Sequence, residues 1–225
     1  MMRHLLALAM ACSLLSVTVF AAEEHQRHRQ PADIKQYLEQ LDSEDRDQYQ
    51  KPRQVIEALN LKPGLAVADL GSGSGYFTRR FIEAVTETGK VYAVDVEPEM
   101  LKYAEESVVH MHRSYTAEFI LARPDNPKLP YESIDLLFLC NTYHHLEERT
   151  KYFSDTKSSL KPGGRIAIID FYQDERSGEL GFPKRHLVPR ETVIAELTKA
   201  GYTFVREHTF LPRQYFLEFI PVAAP

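Results

Sequence analysis

The run Val67-Ala68-Asp69-Leu70-Gly71-Ser72-Gly73-Ser74-Gly75-Tyr76-Phe77 passes from an apolar stretch, through three glycines, into a second apolar stretch. Gly71, Gly73 and Gly75 let the backbone turn tightly and approach a ligand closely, and a helix starting there presents unpaired N–H groups. About 20 residues beyond Gly75, the stretch Val91-Tyr92-Ala93-Val94 ends in Asp95, followed by Val96. A carboxylate at that place can accept hydrogen bonds from both hydroxyls of an adenosine ribose. The dinucleotide fingerprint is G-x-G-x-x-G, and here its last position is Tyr76, whose side chain would obstruct a pyrophosphate. The acidic pair Asp69 and Asp95, flanking a G-x-G-x-G turn, points to an adenosine-type ligand.

A second group of residues suits proton transfer. Asn141, Tyr143, His144 and His145 follow the apolar run Ile134–Cys140, and Asp170 and Tyr172 follow Arg165–Asp170. The segment Phe182-Pro183-Lys184-Arg185-His186 is placed to fold across them as a lid. Histidine titrates near neutral pH and serves as a general base, and a tyrosine face stabilises a cation. Each has a plainer use: His144 and His145 can cap the following helix, Tyr143 can pack, and His186 can be a solvated loop residue. The histidines are too far apart for a ligand set to be read and no cysteine cluster exists, so no metal is expected.

These residues need a scaffold. Apolar strands at Leu65–Leu70, Val91–Asp95, Glu118–Leu121, Ile134–Cys140 and Arg165–Asp170 alternate with helical periodicity at Tyr76–Val85, Pro98–His110, Glu147–Leu160 and Arg190–Ala200. That alternation predicts an α/β fold, a mostly parallel sheet with helices on both faces. Tyr202–Thr209 and Gln214–Ile220 are joined too closely for a crossover and should pair as a C-terminal antiparallel hairpin. Ala32–Gln48 reads as a polar helical arm, and Pro52 suits the first turn of a further helix that ends at Lys62-Pro63-Gly64.

The chain has 225 residues, with 44% hydrophobic and 26% charged, enough for one domain with a buried core. Its net charge of −5 argues against a nucleic-acid backbone as the main partner. Met1-Met2-Arg3-His4, an apolar run from Leu5 to Phe20, small residues at Ala21 and Ala22 and a polar stretch from Glu23 follow the order of a secretory signal peptide. The run falls short of the ~20 residues that span a bilayer. The expected division is a signal at 1–22, an arm at 23–50 and a domain at 51–225. Cleavage would leave a periplasmic protein without a membrane span, the alternative being an uncleaved anchor. It would also leave Cys140 as the one thiol, with no intramolecular disulfide.

The motifs, taken in order, resemble class I S-adenosylmethionine-dependent methyltransferases, in particular the quinone-biosynthesis-like branch with its exported members. Asp69–Gly75 resembles the first motif of that family and Asp95 its ribose-holding acid. Leu129-Pro130-Tyr131-Glu132-Ser133-Ile134-Asp135-Leu136 resembles the approach to the fourth strand, and Asn141-Thr142-Tyr143-His144-His145-Leu146 its end. Leu160-Lys161-Pro162-Gly163-Gly164-Arg165 resembles the turn before the fifth. The resemblance implies a Rossmann-like seven-stranded sheet and S-adenosylmethionine as cofactor. It implies cofactor contacts from Asp69, Gly71, Ser72, Gly73, Gly75, Tyr76, Asp95, Val96, Asp125 and Asn141, with Tyr49-Gln50-Lys51 closing over the methionine end. Asp125 falls where such enzymes place an acid near the adenine amino group, although Ala122-Arg123-Pro124 replaces the usual glycine, and a turn-forming aspartate is the competing reading. Tyr143, His144 and His186 would then line the acceptor side. The acceptor is expected to be a small molecule, and a nucleoside-binding protein without transfer activity is the alternative.

Overall fold

The computed structural model of the chain describes residues 34–222. The expected signal at 1–22, and the first part of the arm, lie outside the described residues. Among the described residues no helix is long and apolar enough to cross a membrane.

Every residue of β1 (Ala66–Leu70) is buried, as a strand covered on both faces must be. It pairs in parallel with β2 (Lys90–Asp95) on one side and β4 (Ile134–Cys140) on the other. With β3 (Ala117–Leu121), β5 (Leu160–Phe171), β6 (Tyr202–His208) and β7 (Gln214–Pro221), these form one sheet of order β3-β2-β1-β4-β5-β7-β6. Only β7 runs against its neighbours, pairing antiparallel with both β5 and β6 as the short linker requires. The chain moves outward from β1 to β3 and then returns to place β4 on the other side of β1. This reversal opens a crevice at the carboxyl ends of β1 and β4.

Alternation along the strands divides the core. Along β4, Leu136, Phe138 and Cys140 face a layer with Val55, Phe77, Phe81 and Ile82, whereas Leu137 and Leu139 face Phe153, Val193 and Leu197. The first layer is covered by α3 (Pro52–Leu59), α4 (Tyr76–Val85) and α5 (Pro98–Val108), the second by α6 (Arg149–Thr156) and α7 (Arg190–Lys199). The rings of Phe77 and Phe81 meet that of Phe138 edge-on at 4.7 and 5.0 Å, so α4 is seated on the middle of the sheet.

Three local outcomes differ from the expected pattern. The arm is not one helix: α1 (Ile34–Leu41) and α2 (Glu44–Gln50) are separated at Ser43, whose hydroxyl accepts from the Asp45 N–H and caps α2. Helix α6 is shorter than Glu147–Leu160, because Glu148 holds a left-handed φ of 43° before it and a 3-10 turn at Lys157–Ser159 follows it. Strand β5 starts five residues early, at Leu160, which pairs with Ile134 before the register shifts to Leu136 opposite Arg165.

Candidate active site

The glycine loop is held by its neighbours rather than by its own residues. The N–H groups of Gly71 and Ser72 both donate to the Val94 carbonyl at the end of β2, at 2.7 and 3.1 Å. Gly73 N–H donates to Asp95 Oδ2 at 2.9 Å, while Asp95 Oδ1 accepts from the Glu97 N–H at 3.1 Å. Gly71 has φ +75° and a Cβ there would lie 2.2 Å from Thr142 Oγ1, so both conformation and space demand glycine. The loop thus joins the ends of β1, β2 and β4 in one surface.

Above that surface lies a cavity of about 740 Å³. Gly71, Ser72, Gly73, Asp95, Val96, Asp125 and Asn141, all read from the sequence, line it together. Asp125 is both a turn residue and part of the cavity lining. It stands at the tip of a two-residue turn closed by the Arg123 and Asn126 backbones, its carboxylate paired with Arg123 at 3.1 Å, and it faces the cavity. Asn141 holds a left-handed φ of 57°, and its Oδ1 accepts from Gln214 Nε2 at 2.6 Å.

Other expected residues stand behind the surface. Asp69 is buried beneath the loop and accepts from Thr78 Oγ1 at 2.7 Å, fastening the end of β1 to α4. Burial pushes its carboxyl up to about 6, against the pull of Thr78 and the Arg46 charge. Gly75 begins α4 in a left-handed conformation. The Tyr76 ring lies between the guanidinium groups of Arg46 and Arg80, each 3.9 Å from its centroid, and its hydroxyl donates to Asp47.

The proposed acceptor group is rearranged. Tyr143 is not on the cavity wall: it is fully buried, stacks on Phe153 at 5.5 Å and donates to Glu196 Oε2 at 2.6 Å, beside Arg149. Its position in the 3-10 turn Tyr143–His145 turns it into the core layer of α6 and α7. His144 is also off the wall. Its Nδ1 lies 2.8 and 2.9 Å from the two oxygens of Asp170, its backbone N–H donates to the same carboxylate, and its side chain is 4% exposed. The neighbouring His145, whose ring centroid is 4.1 Å from that of His144, lines the cavity instead. His186 lies half-buried in the turn Lys184–His186, away from the cavity, while Phe182 of the same segment stacks on His144 at 5.8 Å.

The arm supplies a wall that sequence patterning did not single out: Tyr37, Leu41 and Arg46 all face the cavity. Its polar residues are fastened to the domain by Asp42, which accepts from Ser74 Oγ and Arg79 Nη2, both at 2.7 Å. Tyr49-Gln50-Lys51 also fastens the arm. Tyr49 packs against Phe171, Gln50 accepts from Gln214 and Lys51 donates to the Phe210 carbonyl. No periodicity distinguishes Arg46 from the surface charges around it in a run of Glu, Asp and Gln. Two buried polar atoms on cavity-lining residues, Ser72 Oγ and Arg46 Nε, have no hydrogen-bond partner. Buried polar groups are normally satisfied, and here a ligand carrying polar groups at the glycine loop would satisfy them. Apolar Val96, Met100, Ala122 and Leu146 form the rest of a slot that suits a flat base.

Known proteins resemble this chain in sequence and in fold. Residues 68–168 match the family model described as a methyltransferase domain. The ubiquinone/menaquinone biosynthesis C-methyltransferases of Pseudoalteromonas translucida and Escherichia fergusonii are 25% and 29% identical over 158 residues, which is 69% of this chain and 63% of theirs. The chain therefore spans less than two thirds of the length of these curated relatives. The crystal structure of an S-adenosylmethionine-dependent methyltransferase from Aquifex aeolicus aligns with a TM-score of 0.77 at 29% identity, covering 84% of this chain and 99% of that one.

Two outcomes follow from the site. Asp95→Ala is expected to weaken binding of S-adenosylmethionine and of its demethylated product by about 1.5–3 kcal/mol, the worth of hydrogen bonds to a charged group. Calorimetry on the folded variant checks this, and unchanged affinity removes Asp95 from the ribose. Asp69 makes stability pH-dependent. Its folded carboxyl titrates near 6, above the ordinary 3.8, so between those values the folded chain keeps a proton that the unfolded chain has lost. The stability this contributes is full below about pH 4 and is lost as the pH rises through about 6. Asp69→Asn should flatten that decline and, near neutral pH, recover a contribution on the order of 2–3 kcal/mol. Denaturant titrations of both proteins between about pH 4 and 8 read the difference.

Proposed function

We propose that this chain, a class I S-adenosylmethionine-dependent methyltransferase whose cofactor is S-adenosylmethionine, transfers the methyl group to a small-molecule acceptor outside the cytoplasm. The observation that carries the transfer reading is the joined surface of Gly73 and Asp95 beneath a cavity at the strand switch point. The cofactor supplies an electrophilic methyl on a sulfonium, so the reaction is an in-line displacement that needs alignment and exclusion of water. In this reading Asp95 holds the ribose, and Val96, Ala122 and Asp125 hold the base. Gly71, Ser72 and Asn141 border the amino-acid end. Asp69, Gly75 and Tyr76 act through the loop, by fixing where β1 ends and α4 begins.

The cavity wall beyond β4 carries an imidazole, that of His145. In this reading it takes a proton from an oxygen or nitrogen acceptor. His144, clamped by the buried Asp170 and in ring contact with His145, is a positioning residue for it. Phe182 and His186 belong to the segment that would cover an acceptor. Incubation with cofactor carrying an isotopic methyl, followed by untargeted detection of labelled products, tests transfer itself. A protein that binds the cofactor and labels nothing is the nucleoside-binding alternative. His145→Ala is expected to lower turnover by about 10²–10⁴-fold, with cofactor affinity near that of the parent. Normal turnover in that variant leaves positioning alone to do the work.

Export is the second part of the reading, supported by the basic start, the apolar run and the small residues at Ala21 and Ala22. Mass spectrometry of protein recovered from its native host is expected to find a mature start near Ala22 or Glu23 in the periplasmic fraction. An intact Met1 in a soluble cytosolic fraction rejects it.

A further inference from the structure

We propose that Arg46 anchors the carboxylate at the amino-acid end of the cofactor, so that the site selects a nucleoside bearing an amino acid over one without it. The assignment rests on the cavity being the cofactor site. Arg46, on α2, is 8% exposed and faces that cavity. Its Nη1 donates to the Leu41 carbonyl at 2.8 Å and its Nη2 lies 3.9 Å from Cys140 Sγ, while its Nε is buried with no acceptor. Among the described residues the guanidinium forms no ion pair. Cys140 does not supply the missing charge, because burial pushes its thiol up to about 12. Asp69 feels the Arg46 charge without a hydrogen bond between the two. An arginine buried to this degree is ordinarily paired, since removing its charge from water is costly.

Its place in the fold says which part of the ligand it meets. Asp95 ends β2, the glycine loop ends β1 and Cys140 ends β4, and these strands are consecutive in the sheet. A ligand fixed by its ribose at Asp95 and extended over the loop reaches β4, where Arg46 touches Cys140. The Tyr76 ring, 3.9 Å from the guanidinium carbon, fixes the plane of the fork. A planar fork with a free N–H matches a carboxylate, and the α-carboxylate is the one anionic group of the cofactor. The same contact would hold the arm against the domain when the cofactor is bound.

The test is calorimetric and uses three ligands: S-adenosylhomocysteine, its methyl ester, and 5′-methylthioadenosine, which lacks the amino acid. The parent protein should bind S-adenosylhomocysteine about 10–100-fold more tightly than either analogue. Arg46→Met, which keeps the apolar stem, should lose about that factor for S-adenosylhomocysteine and change little for 5′-methylthioadenosine. Equal losses for all three ligands, or no loss, overturn the assignment. If Arg46→Met does not fold, the parent decides alone: equal affinity for the acid and its methyl ester overturns the proposal. A parent that binds none of the three overturns the cofactor reading itself, a distinct result.

Discussion

The hydrogen bond from Gly73 N–H to Asp95 Oδ2 closes a small ring of backbone between two adjacent parallel strands, and the site hangs on that ring. Parallel pairing sets Leu70 opposite Val94, so the chain leaving β1 must turn where the β2 carbonyls end. Gly71 and Ser72 share the Val94 carbonyl, and Gly73 then meets the side chain that ends β2. Such a path requires positive φ at alternate residues, which is why the glycines recur at every second position. Thr142, packed against Gly71, extends the constraint to β4. Displacing any of the three strand ends would separate a carboxylate from the loop it organises.

Acidic side chains at strand ends recur in this sheet, and burial gives each a different consequence. Asp95 reaches the cavity and accepts from two N–H donors, those of Gly73 and Glu97. Asp69, one strand away and buried, is bonded by Thr78 and is pushed toward protonation by that burial. Asp170 is wholly buried, but it accepts from the His144 and Phe171 backbones as well as lying against the His144 ring. Removing His144 would leave that carboxylate short of partners inside the protein, the situation that makes breaking a buried pair costly. The residues beyond β4 are therefore organised from beneath, by β5, rather than by the cavity they adjoin.

The arm completes the site from outside the sheet. Its helices are too short to be stable alone, so tertiary contacts must hold them. Asp42 and Asp47 reach α4 through Arg79, Arg80 and Tyr76 and the glycine loop through Ser74, and Gln50 joins a buried amide chain with Gln214 and Asn141. Leu41 packs on the glycine loop, close to where a Gly73 side chain would be.

The α/β architecture, the bounds of α4 and β4, the antiparallel hairpin and the glycine loop with its acidic partner are legible in the sequence. These are local signals: period-2 and period-3.6 burial, glycines where φ must be positive, and a carboxylate a fixed distance along one βα unit. Tertiary structure decided the rest. Tyr143, His144 and His145 are consecutive, and a 3-10 turn sends one ring into the core, one onto Asp170 and one to the cavity, directions that spacing does not encode. Arg46 is one charge among many in a polar helix, and only the closure of that helix over the glycine loop buries it with its Nε unsatisfied. The physical reason is common to both: backbone conformation follows from neighbours in the chain, whereas the environment of a side chain is set by residues that folding brings from far along it.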